Sequence, residues 1–200
     1  MKSAVHPARA DPPRHVVLFT GHMVDAPGRA VPRFPASLVP AAARAIAAAL
    51  DAIDAGPADL ALTQGAAGGD LLFAEASLQR ALPLRLLLPL DESDFVAQSL
   101  LPVQDGAAWH ARYRDVVARI DEAPSEAPRV LGPLAAGEDA FVRGNLWLLE
   151  SALAFGAERL RCICLWDGGG GDGPGGTRHL VDAVRAAGGQ VRQIDPRALA

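Results

Sequence analysis

An α/β fold is predicted for this chain, a Rossmann-like three-layer arrangement on a mostly parallel five-stranded sheet. Three observations predict it. Five short apolar runs each end close to a glycine or proline, as strands buried on both faces do. Segments with apolar residues at helical spacing separate those runs, which is the pattern of βαβ units. The 200 residues, 50% of them apolar, suffice for one sizeable core and are short for two. One domain over residues 15–200 is therefore expected, after a loose tail over 1–14 that carries three prolines.

The first run, residues 15–20 (His-Val-Val-Leu-Phe-Thr), stops at Gly21 and opens a loop over 21–35 with three prolines and two glycines. Residues 36–55 then set Leu38, Ala42, Ala45, Ile46, Ala49, Leu50 and Ile53 at helical spacing. A second run, 59–63, leads through the turn Gln64-Gly-Ala-Ala-Gly-Gly69 into a helix opened by Asp70 and continued by Leu72, Phe73 and Ala76. The third run is 84–88, closed by Pro89. Residues 91–120 are helical in pattern, with Asp91, Glu92 and Asp94 in the first turn, where the helix dipole favours negative charge. A break at 102–106 divides them into two helices. Residues 122–138, with prolines and scattered charges, read as an irregular excursion with a short strand at 129–131. A helix over 141–155, a fourth strand over 160–166, a loop over 167–176 with seven glycines, a helix over 177–187 and a last strand over 190–194 complete the chain. The expected strand order is 3-2-1-4-5, with a topological switch between the first and fourth strands.

Composition excludes several function classes. A net charge of −4 lacks the basic excess that a nucleic-acid backbone requires, whereas a small anion needs only a local positive site. Cys162 and Cys164, alternating in Arg161-Cys-Ile-Cys-Leu-Trp166, fall on one side of a strand as buried packing residues, and no second Cys or His pair completes a zinc set. No metal and no cofactor are expected. The N-terminus has no apolar segment of the signal-peptide kind, and the longest apolar stretches, such as 82–90, are far shorter than a membrane span. A cytoplasmic protein with no membrane partner is the expectation.

Ligands of an open parallel sheet bind beyond the carboxyl ends of its strands, and three unusual loops lie at such ends. In Gly173-Pro-Gly-Gly-Thr177, glycines admit a phosphate to the backbone while the amides of the following helix point toward it. Gly175, Gly176, Thr177 and Arg178 are candidates there, with Asp167 and Gly168 at the start of the same loop. In the second loop Gly65, Ala66, Gly68 and Gly69 allow the same approach. Asp70 has two roles open to it, a helix-capping carboxylate or a grip on ribose hydroxyls, and Glu75 either faces the cleft or is an ordinary helix residue. After the first strand, Gly21 permits close approach, His22 is a donor, and Arg29 and Arg33 are available cations. Neither a Walker loop nor a Gly-x-Gly-x-x-Gly fingerprint is present, which removes support for ordinary ATP hydrolysis and for NAD-dependent hydride transfer. The aromatic–basic cluster Trp109, His110, Arg112, Tyr113 and Arg114 either stacks on a base or packs a helix on the sheet. Asn145, early on a helix, is placed to brace the loop after the fourth strand.

This combination resembles the SLOG superfamily, which groups Smf/DprA proteins, LOG-type phosphoribohydrolases and nucleotide-sensing modules. The residues that carry the resemblance are Gly21-His22, the Gly-Ala-Ala-Gly-Gly-Asp70 loop with Glu75, Asn145, Leu165-Trp-Asp-Gly168 and Gly175-Gly-Thr177. It is closest in look to bacterial signalling-associated members, which share the Gly-His-Met23, Pro-Arg-Phe-Pro35 and Trp-Asp-Gly168 features. The resemblance implies binding of a nucleotide or a nucleotide-derived signal such as an ADP-ribose-type molecule, in a cleft lined by Gly21, His22, residues 65–70, Glu75, Asp167 and residues 175–177. LOG-type hydrolases carry Pro-Gly-Gly-x-Gly-Thr-x-x-Glu, and here Thr177 is followed by Arg178, His179 and Leu180, so the pattern's carboxylate has no counterpart. A ligand-binding sensor is the leading expectation. An N-glycosidic hydrolase acting on nucleoside monophosphates, with Glu75 or Asp70 stabilising an oxocarbenium ion or activating water, is the second, and a protein-interaction module the third. A homodimer is suggested by analogy with related folds.

Overall fold

The computed structural model describes residues 11–170 and 175–199. Its sheet has six strands, β1 (Val16–Gly21), β2 (Leu60–Thr63), β3 (Leu84–Leu88), β4 (Ser125–Glu126), β5 (Leu160–Leu165) and β6 (Gln190–Ile194). They lie in the order β4-β3-β2-β1-β5-β6 and every neighbouring pair is parallel. The five strands expected from sequence are β1, β2, β3, β5 and β6, in the expected order; β4 extends one edge. The strand expected at 129–131 is instead the last part of helix α5 (Ala127–Leu131). Pro128 explains this, because the first turn of a helix needs no donor from its amide and welcomes its fixed φ.

Alternation along the strands divides the core into two layers. Val17 and Phe19 of β1 face helices α1 (Val39–Asp51), α2 (Gly69–Gln79) and α4 (Gly106–Val117), together with Phe95 of α3 (Glu92–Ser99). Val16 and Leu18 face α6 (Ala140–Leu153) and α7 (Thr177–Ala186). Helices therefore cover both faces. On the first side Phe19 and Phe73 stack with ring centroids 4.9 Å apart, an arrangement worth about 1 kcal/mol beyond the area it buries. Cys162 and Cys164 are buried, unbridged and on the α7 side of the sheet, Cys164 against Val181, as the alternation requires.

The long helix expected over 36–55 begins with a 3-10 turn at Ala36–Leu38 and ends at Asp51, after which Asp54 takes a left-handed conformation. Arg14, assigned by sequence to the loose tail, is fastened to the domain. Its guanidinium donates to both oxygens of the buried Asp59 at 2.8 and 3.0 Å, and Arg159 holds the Pro13 carbonyl at 2.6 Å. No described helix is long and apolar enough to cross a membrane.

β1 leads to β2 and β3 on one side, and the chain returns through β5 on the other. The switch point is consequently between the carboxyl ends of β1 and β5, and the elements that matter for function converge there.

Candidate functional site

β1 ends at Gly21 because only a glycine fits: an added Cβ would lie 2.9 Å from Phe19 and 3.1 Å from Leu165. His22 keeps step with β5 through its amide, which donates to the Leu165 carbonyl at 2.9 Å, and Met23 bridges to Gly68 of the second loop. Gly68 has φ +115°, and a Cβ there would lie 2.8 Å from both the His22 carbonyl and the Val24 nitrogen. The first and second loops are thus stitched together through a left-handed glycine. Beyond them, Asp25 organises the rest of the first loop. Its carboxylate accepts from the amides of Arg33 (3.0 Å) and Phe34 (3.1 Å) and lies 3.4 Å from Arg29.

The loop after β2 is closed on a carboxyl of its own. Asp70, 6% exposed, turns its carboxylate back onto the Gly65 and Ala66 amides at 3.2 and 3.4 Å. The Ala67 amide goes to the Ser99 carbonyl and the Gly69 amide to the His22 carbonyl. Four of the loop's amides therefore already have acceptors inside the protein, and the phosphate seat expected there is filled by Asp70. Burial pushes the Asp70 carboxyl up to about 7, against the pull of the backbone amides that favour its ionised form.

The loop after β5 behaves differently. Trp166 is pinned by its amide to Ile194, by its carbonyl to Gln193 and by its indole to the Gly169 carbonyl, all at 2.9 Å. Gly175 packs so closely on the start of α6 that a Cβ would lie 2.6 Å from the Val142 nitrogen. Its carbonyl accepts from Asn145 Nδ2 at 2.5 Å, and Asn145 Oδ1 accepts from Gln64 Nε2 at 3.0 Å. Asn145 is 4% exposed, so from a buried position this chain of contacts ties the loop after β2 to the turn that leads into α7. The amides of Gly176, Thr177 and Arg178, at the start of α7, take no acceptor among the described residues. Residues 171–174 of the glycine loop lie outside the described residues.

Between these loops opens a cleft of about 420 Å³. Of the residues expected from sequence, it is lined by Gly21, His22, Arg29, Ala66, Asn145, Gly175, Gly176 and Thr177, and Arg33 joins them. Gly65, Gly68, Gly69 and Asp70 build its wall from behind. Asp167 and Gly168 follow Trp166 at its rim, and Arg178 points along α7 to Asp182 at 3.7 Å. Glu75 is outside it, paired with Arg112 at 2.5 and 2.6 Å, while Arg112 lies 4.1 Å over the Trp109 ring. Within the aromatic–basic cluster, Arg112 thus fastens α4 to α2, Tyr113 packs against Phe95 of α3, and Arg114 is exposed.

Several lining residues were not singled out as site candidates, although Gln64 and Trp166 stand within quoted motifs. Asp25, Gln64, Phe141 and Trp166 belong to the site through their positions at strand ends or a helix start. Asp25 had a readable signal, a carboxylate in a proline-rich loop, where Asp gathers backbone amides. Asp25 is also the one carboxylate lining the cleft among the described residues, and its charge is spent on amides and Arg29. The other charged and titratable lining groups are His22, Arg33 and Arg29, the last paired with Asp25, so among the described residues the cleft lining holds more cationic than anionic side chains. Burial lowers the His22 pKa, against the opposing effect of Asp167. The Asp167 carboxyl is also buried in part, but the Gly169 amide and His22 outweigh that and hold it below its ordinary value. No group of His, Cys, Asp or Glu side chains among the described residues is arranged to hold a metal.

Comparison of the chain with protein-family models and with curated proteins found no match.

Proposed function

We propose that the cleft binds a phosphate-bearing nucleotide derivative of the ADP-ribose type, and that the protein works as a sensor or binding module of the SLOG kind. One observation carries the reading: the cleft at the switch point brings the start of α7, whose first amides take no acceptor among the described residues, together with His22, Arg29 and Arg33, and Asp25, the one lining carboxylate among the described residues, is held by backbone amides and Arg29. A phosphate seated at Gly175-Gly-Thr177 meets backbone donors and the positive end of the α7 dipole. Met23, Val103, Phe141 and Trp166 offer apolar surface for a base. The hydrolase reading needs a carboxylate at the reacting sugar carbon, and neither candidate favours it. Asp70 is occupied behind the wall and Glu75 is bound to Arg112 on another face.

Isothermal titration with ADP-ribose, nucleoside monophosphates and cyclic dinucleotides tests the proposal. At least one should bind with saturable one-to-one heat, weakened tenfold or more by Thr177→Pro, which removes an amide at the start of α7. Absence of binding across the whole panel would overturn the reading, and release of free base during the titration would revive the hydrolase.

A further inference from the structure

His22 is buried at the floor of the cleft with 6% of its surface exposed, and its Nε2 has two neighbours that compete. The Asp167 amide nitrogen is 3.2 Å away and the Asp167 Oδ1 is 3.1 Å away. One ring nitrogen cannot accept from the amide and donate to the carboxylate at once. With the proton on Nδ1, the Nε2 lone pair takes the amide hydrogen but confronts a carboxylate. With the proton on Nε2, the carboxylate is served while the amide N–H is turned against another N–H. Neither neutral tautomer satisfies both groups.

The other nitrogen, Nδ1, has no hydrogen-bond partner among the described residues and is not among their fully buried atoms, on a residue that lines the cleft. The imidazolium form gives up the hydrogen bond from the Asp167 amide, as the Nε2–H tautomer does, but in exchange it sets a full positive charge against the Asp167 carboxylate through Nε2–H and leaves Nδ1–H as a donor for a ligand anion. Within the protein that form is opposed by burial and by Arg33, and supported by Asp167 and Asp25. Asp195, at the end of β6, adds a more distant negative charge. An anion in the cleft shifts this balance, supplying the acceptor that Nδ1–H lacks and a charge of the right sign.

We propose that His22 meets the ligand as an imidazolium held by Asp167, so that binding takes up a proton and the site selects anionic atoms at that point. This rests on the nucleotide-binding reading above and adds the protonation state and the pairing that sets it. Linkage gives the sign: a group whose pKa is raised by the ligand makes affinity rise as pH falls, by up to about tenfold per pH unit, between the pKa of the free and the bound protein.

The test is titration calorimetry with ADP-ribose from pH 5.5 to 8.5, a probe whose pyrophosphate, esterified at both ends, keeps its charge throughout that range. Wild-type affinity should strengthen at least fivefold from pH 8.5 to 5.5, with proton uptake seen as a dependence of the heat on buffer ionisation enthalpy. His22→Gln should abolish the pH dependence. Should His22→Gln fail to fold, Asp167→Asn serves in its place, weakening binding most at low pH and moving the response to lower pH. An affinity that is flat with pH, or a pH dependence unchanged in the tested variant, overturns this inference while leaving the binding site intact. Absence of ADP-ribose binding at every pH overturns it together with the ADP-ribose reading of the cleft.

Discussion

Glu75 and Arg112 form a two-point ion pair, Nε to Oε1 at 2.6 Å and Nη2 to Oε2 at 2.5 Å, and this pair fastens α4 to α2 away from the cleft. Both side chains are about three-tenths exposed, 27% for Glu75 and 31% for Arg112, so water screens much of the attraction. Glu75→Gln should lower stability by no more than about 1 kcal/mol in chemical denaturation and leave nucleotide affinity within about twofold. A tenfold loss of affinity in a folded Glu75→Gln protein would place the carboxylate back in the site.

Asn145 has a greater role in the cleft. Asn145→Ala removes two hydrogen bonds at a buried position and strands the Gln64 amide and the Gly175 carbonyl. Leaving such groups unpaired costs about 1–3 kcal/mol. Because Gly175 leads directly into the proposed phosphate seat, the variant should also bind nucleotide about tenfold more weakly. Asn145→Asp should weaken it further, since a carboxylate would face the Gly175 carbonyl. Denaturation and titration of both variants check this, and unchanged affinity would show that the brace does not shape the loop.

Much of this was readable from the chain. The five longer strands followed from apolar runs buried on both faces, and their order from the βαβ rule. Asn145 was singled out because a polar residue on a packed helix needs a partner. β4 was not legible: two residues, Ser125 and Glu126, carry no periodicity, and the edge pairing depends on how β3 presents itself. What the amides of the second loop meet is not legible in the sequence, for a physical reason. A glycine turn before a helix looks like a phosphate cradle whether its amides meet a ligand or, as here, the chain's own Asp70, and composition does not distinguish the two. Tertiary pairings such as Glu75 with Arg112, 37 positions apart, are likewise invisible to local pattern.

Asp70 makes stability depend on pH in an unusual direction for a carboxylate. Its pKa in the fold is raised to about 7 from 3.8, chiefly by burial. The neutral form is therefore the one the fold prefers: this stabilisation is complete below pH 3.8 and is lost as pH rises through about 7. Asp70→Asn carries no titrating proton. Between pH 4 and pH 8 the stability difference should move in favour of the variant, on the order of 4 kcal/mol at most. Thermal unfolding of both proteins across that range checks it, and parallel curves would show that Asp70 is ionised in the fold with no penalty.

Gly68 joins two loops where no other residue fits. Gly68→Ala combines a positive φ with contacts of 2.8 Å to two backbone atoms, neither of which belongs to a flexible side chain. The variant should lose about 2–4 kcal/mol of stability. A protein as stable as wild type would mean that the Met23–Gly68 bridge opens freely.

The most direct test of the nucleotide-binding reading is mass spectrometry of small molecules retained by the purified folded protein after incubation with a cell-derived nucleotide pool and removal of unbound material. The account requires enrichment of one phosphate-bearing nucleotide derivative approaching one per chain, intact, and lost from the Thr177→Pro protein. Retention of no phosphate-bearing compound, or equal retention by the variant, would contradict it.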